Sequence, residues 1–235
     1  MIYIITGTSS GIGKALAKFY LKNGDKVIGI SRNNTIENEN FTHVKCDLSD
    51  KQQLHELALL KHTTKEDYPI RLINNAGIIG DINRSHELTL THYVDMAMVN
   101  LVAPQFLCSY VLQTFGFDNV DTIINISSGA GERPVPSWGS YCATKAAIDI
   151  YAKTLHEEIK EMGKSTQVFN ISPGVVDTRM QENIRSSREE KFSGRQNFID
   201  LKENEELRSP KEVAILLDEF LNEEHPEEEG IIHRI

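Results

Sequence analysis

Cysteine is scarce in this chain of 235 residues: Cys46, Cys108 and Cys142 are all there is. Three widely spaced cysteines exclude a disulfide framework and a zinc knuckle. The eight histidines show no paired ligand spacing. His43 near Cys46 and Asp47 lacks the second pair a metal site would need, so a metal-independent protein is expected. No cluster of Lys or Arg stands out, and the formal net charge is −9, which argues against nucleic acid as a partner. No apolar run approaches the ~20 residues of a bilayer span. Residues 1–6 are apolar, but the run is short, lacks a basic flank and enters a turn at Gly7. It reads as a first strand rather than a secretory signal. A cytoplasmic protein that keeps clear of membranes is the expectation.

What is present is ordinary for a globular protein. The chain is 40% hydrophobic and 25% charged, enough for one domain over residues 1–235 with a full core. Ile2–Thr6 reads as a buried strand. It runs into Gly7-Thr8-Ser9-Ser10-Gly11-Ile12-Gly13, and an amphipathic helix follows, closing at Asn23-Gly24. Strand, glycine turn and helix N-terminus together make an anion cradle, because backbone N–H groups and the helix dipole point at a phosphate. Gly7, Ser9, Ser10, Gly11, Ile12 and Gly13 are its candidate residues. Lys26–Ile30 reads as the second strand and ends in Ser31-Arg32-Asn33-Asn34. A carboxylate at such an end would hold a ribose 2′-hydroxyl; a guanidinium suits a 2′-phosphate. Arg32 and Asn33 therefore point to NADP(H) rather than NAD(H).

Phe41–Cys46 reads as a third strand, followed by Asp47-Leu48 and a helix from about Asp50 to Lys61 capped by Ser49. Asp47 could accept from an adenine amino group or cap that helix. Residues 61–69 and 80–88 read as loops. Ile70–Ile73 is a fourth strand, ending in Asn74-Asn75-Ala76-Gly77, where small residues leave room for a ribose. Thr91–Phe115 reads as one long apolar helix, buried on two sides and kinked by Pro104. Proline cannot donate to the carbonyl of Asn100, so carbonyl and amide at that kink could hold a water. Thr122–Ile126 is a fifth strand, ending in Ser127-Ser128-Gly129. Next comes a helix to about Met162 that carries Tyr141 and Lys145. At i and i+4 a phenol and an ammonium share a face, and a nearby cation lowers a phenol's pKa. Gln167–Ile171 is a sixth strand and precedes Pro173-Gly174-Val175-Val176-Asp177-Thr178. The polar stretch 179–208 reads as a mobile lid. Ser209-Pro210-Lys211-Glu212 is a capping box opening a last helix to about Asn222. An acidic loop, Glu223–Glu229, and a short strand within Gly230–Ile235 complete an α/β fold, a doubly wound parallel sheet of about seven strands.

These motifs, in this order, resemble the short-chain dehydrogenases/reductases over nearly the whole chain. The carriers are Thr6-Gly7-x-x-x-Gly11-Ile12-Gly13, Asn74-Asn75-Ala76-Gly77, Asn100, Ser128, Tyr141-x-x-x-Lys145 and Pro173–Thr178. The stretch Asp177-Thr178-Arg179-Met180-Gln181 and Leu207-Arg208-Ser209-Pro210 are similar to the sepiapterin reductase branch. Within that branch they are nearest to bacterial benzil reductases forming (S)-benzoin. The resemblance implies a hydride-transferring carbonyl reductase for a ketone, α-diketone or quinone-like compound. Tyr141 would be the general acid and Ser128 would polarise the carbonyl. Lys145 would lower the Tyr141 pKa and bind ribose, and Asn100 would hold a relay water. Asn75, Ala76, Gly77, Leu48, Pro173, Gly174, Val176 and Thr178 would contact cofactor. Trp138 and Met180 would wall the substrate. A homo-oligomer, most often a dimer, is implied as well. The branch's pterin anchor is an acidic residue near the C-terminus, and Gly230–Ile235 holds none. A pterin reductase, an oxidative NAD-linked alcohol dehydrogenase and a non-catalytic NADP sensor are the alternatives.

Overall fold

A computed structural model describes residues 1–63, 69–225 and 231–235. Residues 64–68 of the first predicted loop and 226–229 of the acidic one lie outside them. Seven parallel strands are seen among the described residues: β1 (Ile2–Thr6), β2 (Lys26–Ser31), β3 (Phe41–Lys45), β4 (Ile70–Asn74), β5 (Val120–Ile126), β6 (Gln167–Ser172) and β7 (Ile232–Arg234). Their order is β3-β2-β1-β4-β5-β6-β7. All six pairings are parallel, so helical crossovers must cover both faces. The fold is Rossmann-like and doubly wound. The order reverses between β1 and β4, and such a switch point opens a crevice at the strands' C-terminal ends.

Strand alternation builds two cores. Ile2 and Ile4 of β1 face one way with Leu72 and Ile123. There they meet Leu107, Cys108 and Val111 of α4 (Ala103–Phe115) and Ala152 and Leu155 of α5 (Gly139–Glu161). Tyr3 and Ile5 face the other way, against Leu16 and Tyr20 of α1 (Gly11–Lys22) and Leu217 and Phe220 of α8 (Pro210–Leu221). Each fully buried aliphatic side chain contributes about 1.5–3 kcal/mol, so β1 is anchored from both sides. The predicted capping box at Ser209 and Glu212 is present, both hydrogen bonds made. Cys46, Cys108 and Cys142 are free. Burial pushes the Cys46 thiol up to about 11 and Cys108 up to about 12, so neither is a thiolate near neutrality. His43 bonds to Ser31 and not to Cys46 or Asp47.

Several elements differ in detail from the sequence expectation. The helix predicted from Asp50 to Lys61 is a single short one, α2 (Lys51–His55), with a separate 3-10 turn at Leu59–His62. Tyr110 on α4 causes the break: its hydroxyl accepts from Leu59 N (3.2 Å) and donates to Leu57 O (2.9 Å), replacing helical bonds. The N-cap is Asp50, which accepts from Gln52 N and Gln53 N, while Ser49 donates to Asp47 instead. The long helix is continuous from Leu90 to Phe115, as α3 (Leu90–Ala97), a π-helical turn at Met98–Val102, and α4. The missing Pro104 donor is absorbed as that wide turn. Those 26 residues are, by length and composition, long and apolar enough to cross a membrane, correcting the opposite reading. They serve here as a core element: Leu107, Cys108 and Val111 are fully buried under the sheet. The polar stretch 179–208 contains two helices, α6 (Arg179–Arg185) and α7 (Arg195–Glu203).

Candidate active site

The cleft at the switch point has a volume of about 1480 Å³. It is lined by Gly7, Ser9, Ser10, Gly11 and Ile12 from the first turn, and by Arg32, Asn33, Asp47 and Leu48 at one end. Asn75, Ala76, Gly77 and Lys145 line it as well. Ser128, Trp138, Tyr141, Pro173, Gly174, Val176, Thr178 and Met180 line the rest. Twenty-one of the candidate residues thus share one surface; Gly13 and Asn100 do not reach it.

The glycine turn is shaped by what lies behind it. Thr6 Oγ1 accepts from the backbone N–H of both Asn75 and Ala76, at 2.9 Å each. The Asn75 carboxamide donates back to Thr6 O, also at 2.9 Å. This lock brings the turn after β4 against the turn after β1. Gly7 sits at φ +75°, a left-handed backbone. A β-carbon on Gly13 would lie 2.5 Å from Gly7 O, so a glycine here lets the two turns pack closely. Ser10 is the N-cap of α1 in extended conformation, and its side chain makes no capping bond. No acidic residue occupies the first turn of α1. The donor set fits a diphosphate: uncapped N–H groups at a helix N-terminus, with the dipole behind them.

At the Arg32 end the donors are sorted by their neighbours. The Ser31 hydroxyl is committed to the Asn33 carbonyl (2.9 Å), and Thr35 ties the loop to Ser9 O. Arg32 and Asn33 are exposed in the cleft. One carboxylate oxygen of Asp47 is taken by Ser49 N (3.0 Å) and Ser49 Oγ (2.8 Å). An adenine amino group would have to use the other.

At the opposite end Ser128, Tyr141 and Lys145 come together. Ser128 is held at the mouth of β5, its hydroxyl accepting from Ala130 N at 3.2 Å. Tyr141 and Lys145 are one turn apart on α5, both buried. Lys145 Nζ donates to Ile126 O at 2.7 Å and lies 5.8 Å from the Tyr141 ring centroid. Burial, and not the lysine, sets the direction of the phenol's shift in this state. Burial pushes Tyr141 up to about 12, and the Ser128 hydroxyl donating to its oxygen draws it back only in part. Burial pushes Lys145 down to about 8, opposed by Asp149. The ammonium faces the ring and a carbonyl rather than the phenolic oxygen, so desolvation governs both groups.

Asn100 stands behind Gly77, 2% exposed. Its Oδ1 accepts from Ile78 N (2.9 Å) and its Nδ2 donates to Ile78 O (2.8 Å). The side chain therefore braces the cleft wall through both its carboxamide atoms.

Sequence reasoning named Trp138 and Met180 as walls but missed their partners. Phe192 stacks on Trp138 at 5.4 Å, and Phe198 lies 5.4 Å from it. Tyr141 meets the same indole edge-on at 5.8 Å. Ile79 and Ile184 complete this apolar cluster. The signal available was two phenylalanines in an otherwise polar stretch. The segment is tied down by Lys191, whose ammonium contacts both Glu87 oxygens at 2.6 Å and whose carbonyl accepts from Ser137 at 2.5 Å. Asp177 receives Lys202 at 2.7 Å.

Comparison with known proteins agrees with this geometry. A family model described as short chain dehydrogenase matches residues 1–189. The benzil reductase ((S)-benzoin forming) of Bacillus cereus is 36% identical, with 97% of each chain covered. Its counterpart in Bacillus subtilis strain 168 is 34% identical, covering 91% of this chain and 90% of that one. The crystal structure of the KRED1-Pglu enzyme superimposes with a TM-score of 0.83 at 25% identity, covering 97% of both chains.

Proposed function

This chain belongs to the short chain dehydrogenase family, and from that premise we propose that it is an NADPH-dependent carbonyl reductase for an aromatic ketone or α-diketone, with Tyr141 as general acid. The observation that carries the reading is the meeting of Ser128, Tyr141 and Lys145 at one end of a cleft whose other end holds Arg32. When bound, the nicotinamide supplies the hydride. The chain's own residues do the rest. Ser128 hydrogen-bonds the substrate oxygen and polarises it. Tyr141 gives that oxygen its proton, and its high pKa keeps the phenol protonated across the neutral range. Lys145, one turn from Tyr141, binds ribose hydroxyls. Trp138, backed by the buried Phe192, and the partly exposed Phe198 and Met180 form an apolar wall for an aromatic group next to the reacting carbonyl. The substrate class also follows the relatives named above, which are benzil reductases.

The experiment is a screen for NADPH oxidation with benzil and a panel of aromatic dicarbonyls, run in parallel with NADH. Turnover with benzil and preference for NADPH are expected. No oxidation of NADPH by any member of the panel would defeat the proposal and leave the sensor reading. Cofactor choice has its own test. Arg32→Asp places a carboxylate where a 2′-phosphate would sit. KM for NADPH should rise by at least about tenfold, the order expected for losing one charge-assisted contact, and the ratio of kcat/KM values should move toward NADH. An unchanged ratio would remove Arg32 from cofactor selection.

A further inference from the structure

Three asparagines stand in register across the sheet: Asn74 on β4 opposite Asn125 on β5, and Asn125 opposite Asn170 on β6. None is more than 3% exposed. Their carboxamides form one line of hydrogen bonds. Asn74 Nδ2 donates to Asn125 Oδ1 (3.0 Å), and Asn125 Nδ2 donates to Asn170 Oδ1 (2.8 Å). Asn170 Nδ2 then donates to Asp149 Oδ1 (2.7 Å) on α5. The orientation of the amides is set at both ends. Asn170 Nδ2 also donates to Ile148 O (3.1 Å), and Asn74 Nδ2 to Pro104 O (3.4 Å). Every amide therefore donates toward Asp149. Such a line polarises itself in one direction and favours negative charge at its end. Its far end shows the consequence: Asn74 Oδ1 is buried with no partner.

Asp149 is four residues past Lys145, on the same helical face. It is pinned from the other side too, since a β-carbon on Gly131 would lie 2.8 Å from its Oδ2. The groups around Lys145 are few. Tyr141 lies on its own helix, the Ile126 carbonyl on β5, and the Asn100 carboxamide beyond Gly77. Asp149 is the carboxylate whose charge acts on the buried ammonium.

We propose that Asp149, aimed by the Asn74–Asn125–Asn170 line, is a positioning residue that keeps Lys145 charged during the reaction. The inference rests on the reading of Lys145 as part of the reductase machinery. Burial alone pushes Lys145 toward neutrality, and Asp149 holds it protonated up to about pH 8.

The test is Asp149→Asn, which keeps the shape and the oxygen that Asn170 needs but removes the charge. In enzyme labelled at the lysine Cε carbon, the Lys145 signal is identified by its loss in Lys145→Arg and titrated by NMR. Its midpoint should fall by about one pH unit in Asp149→Asn. The alkaline limb of kcat against pH should move down with it. A one-unit fall from about 8 leaves turnover roughly fivefold below wild type at pH 8 and nearly equal at pH 6. Asp149→Glu should restore the limb. An unmoved Lys145 midpoint would overturn the proposal, as would a loss that is uniform across pH. If Asp149→Asn does not fold, Asn170→Ala frees the carboxylate and should shift the midpoint the same way; no shift there is equally fatal. The NMR titration needs no turnover, so absence of reductase activity would count against the functional reading alone.

Discussion

Tyr141→Phe is expected to lower kcat by about 10³-fold while leaving NADPH affinity essentially as it was, because a positioned general acid supplies about 10²–10⁴ in rate. The loss corresponds to about 4 kcal/mol of barrier. The ring itself packs edge-on against Trp138 and is 7% exposed, so phenylalanine keeps the packing and deletes only the hydroxyl. Ser128 loses its acceptor but remains fixed by Ala130 N. Steady-state turnover with benzil measures the first quantity, and quenching of NADPH fluorescence measures the second. Near-normal turnover would remove Tyr141 from the acid role. The pH dependence of the wild type follows from the same pair of shifts. Tyr141 at about 12 stays protonated well past neutrality. Lys145 at about 8 loses its charge first as pH rises. Activity should thus decline above about pH 8 through the lysine, with the phenol still intact.

Gly13→Ala should be the most damaging change of one methyl group in the chain. Its β-carbon would fall 2.5 Å from Gly7 O and against the Asn75 carboxamide. Neither neighbour is free to yield. Gly7 N donates to Ile30 O, and Asn75 is bonded to Thr6 at both N and Nδ2. Overpacking of this kind destabilises by about 1–3 kcal/mol, and Tm should fall by about 2–4 °C for each of those. Cofactor affinity should fall as well, because relief requires the cradle itself to move. Thermal unfolding and fluorescence titration check the two effects separately. A variant with wild-type Tm and affinity would mean that the turn is softer than its hydrogen bonds imply.

Local pattern carried much of the architecture. Strands buried on both faces, such as Ile2–Thr6 and Val120–Ile126, appear in sequence as apolar runs, and the glycine turn and the Ser209 capping box announce helix starts. What stayed hidden depended on partners distant along the chain. Nothing near Leu57 or Leu59 predicts that Tyr110 will end α2. The spacing of Tyr141 and Lys145 places them correctly, yet not the direction of their pKa shifts, which depends on burial beneath the segment bearing Phe192. Asn100 was found through Pro104, but its commitment to Ile78 requires the loop after β4 to be in place. Phe192 and Phe198 were visible only as aromatics in a polar stretch, because their target, Trp138, is more than fifty positions away.

The bond between Thr6 and the Asn75 turn also sets a timetable. β1 pairs on one side with β2, its near neighbour in sequence, and on the other with β4, where Ile2 meets Ile70. During synthesis the first three strands can assemble from the residues already made, but the loop after β1 has no wall behind it until residues 70–76 emerge. Contacts so separated along a chain form late, after the entropy of closing the intervening loop has been met. A ribosome-bound fragment ending before β4 would therefore possess three of the seven strands and a glycine turn with no wall behind it.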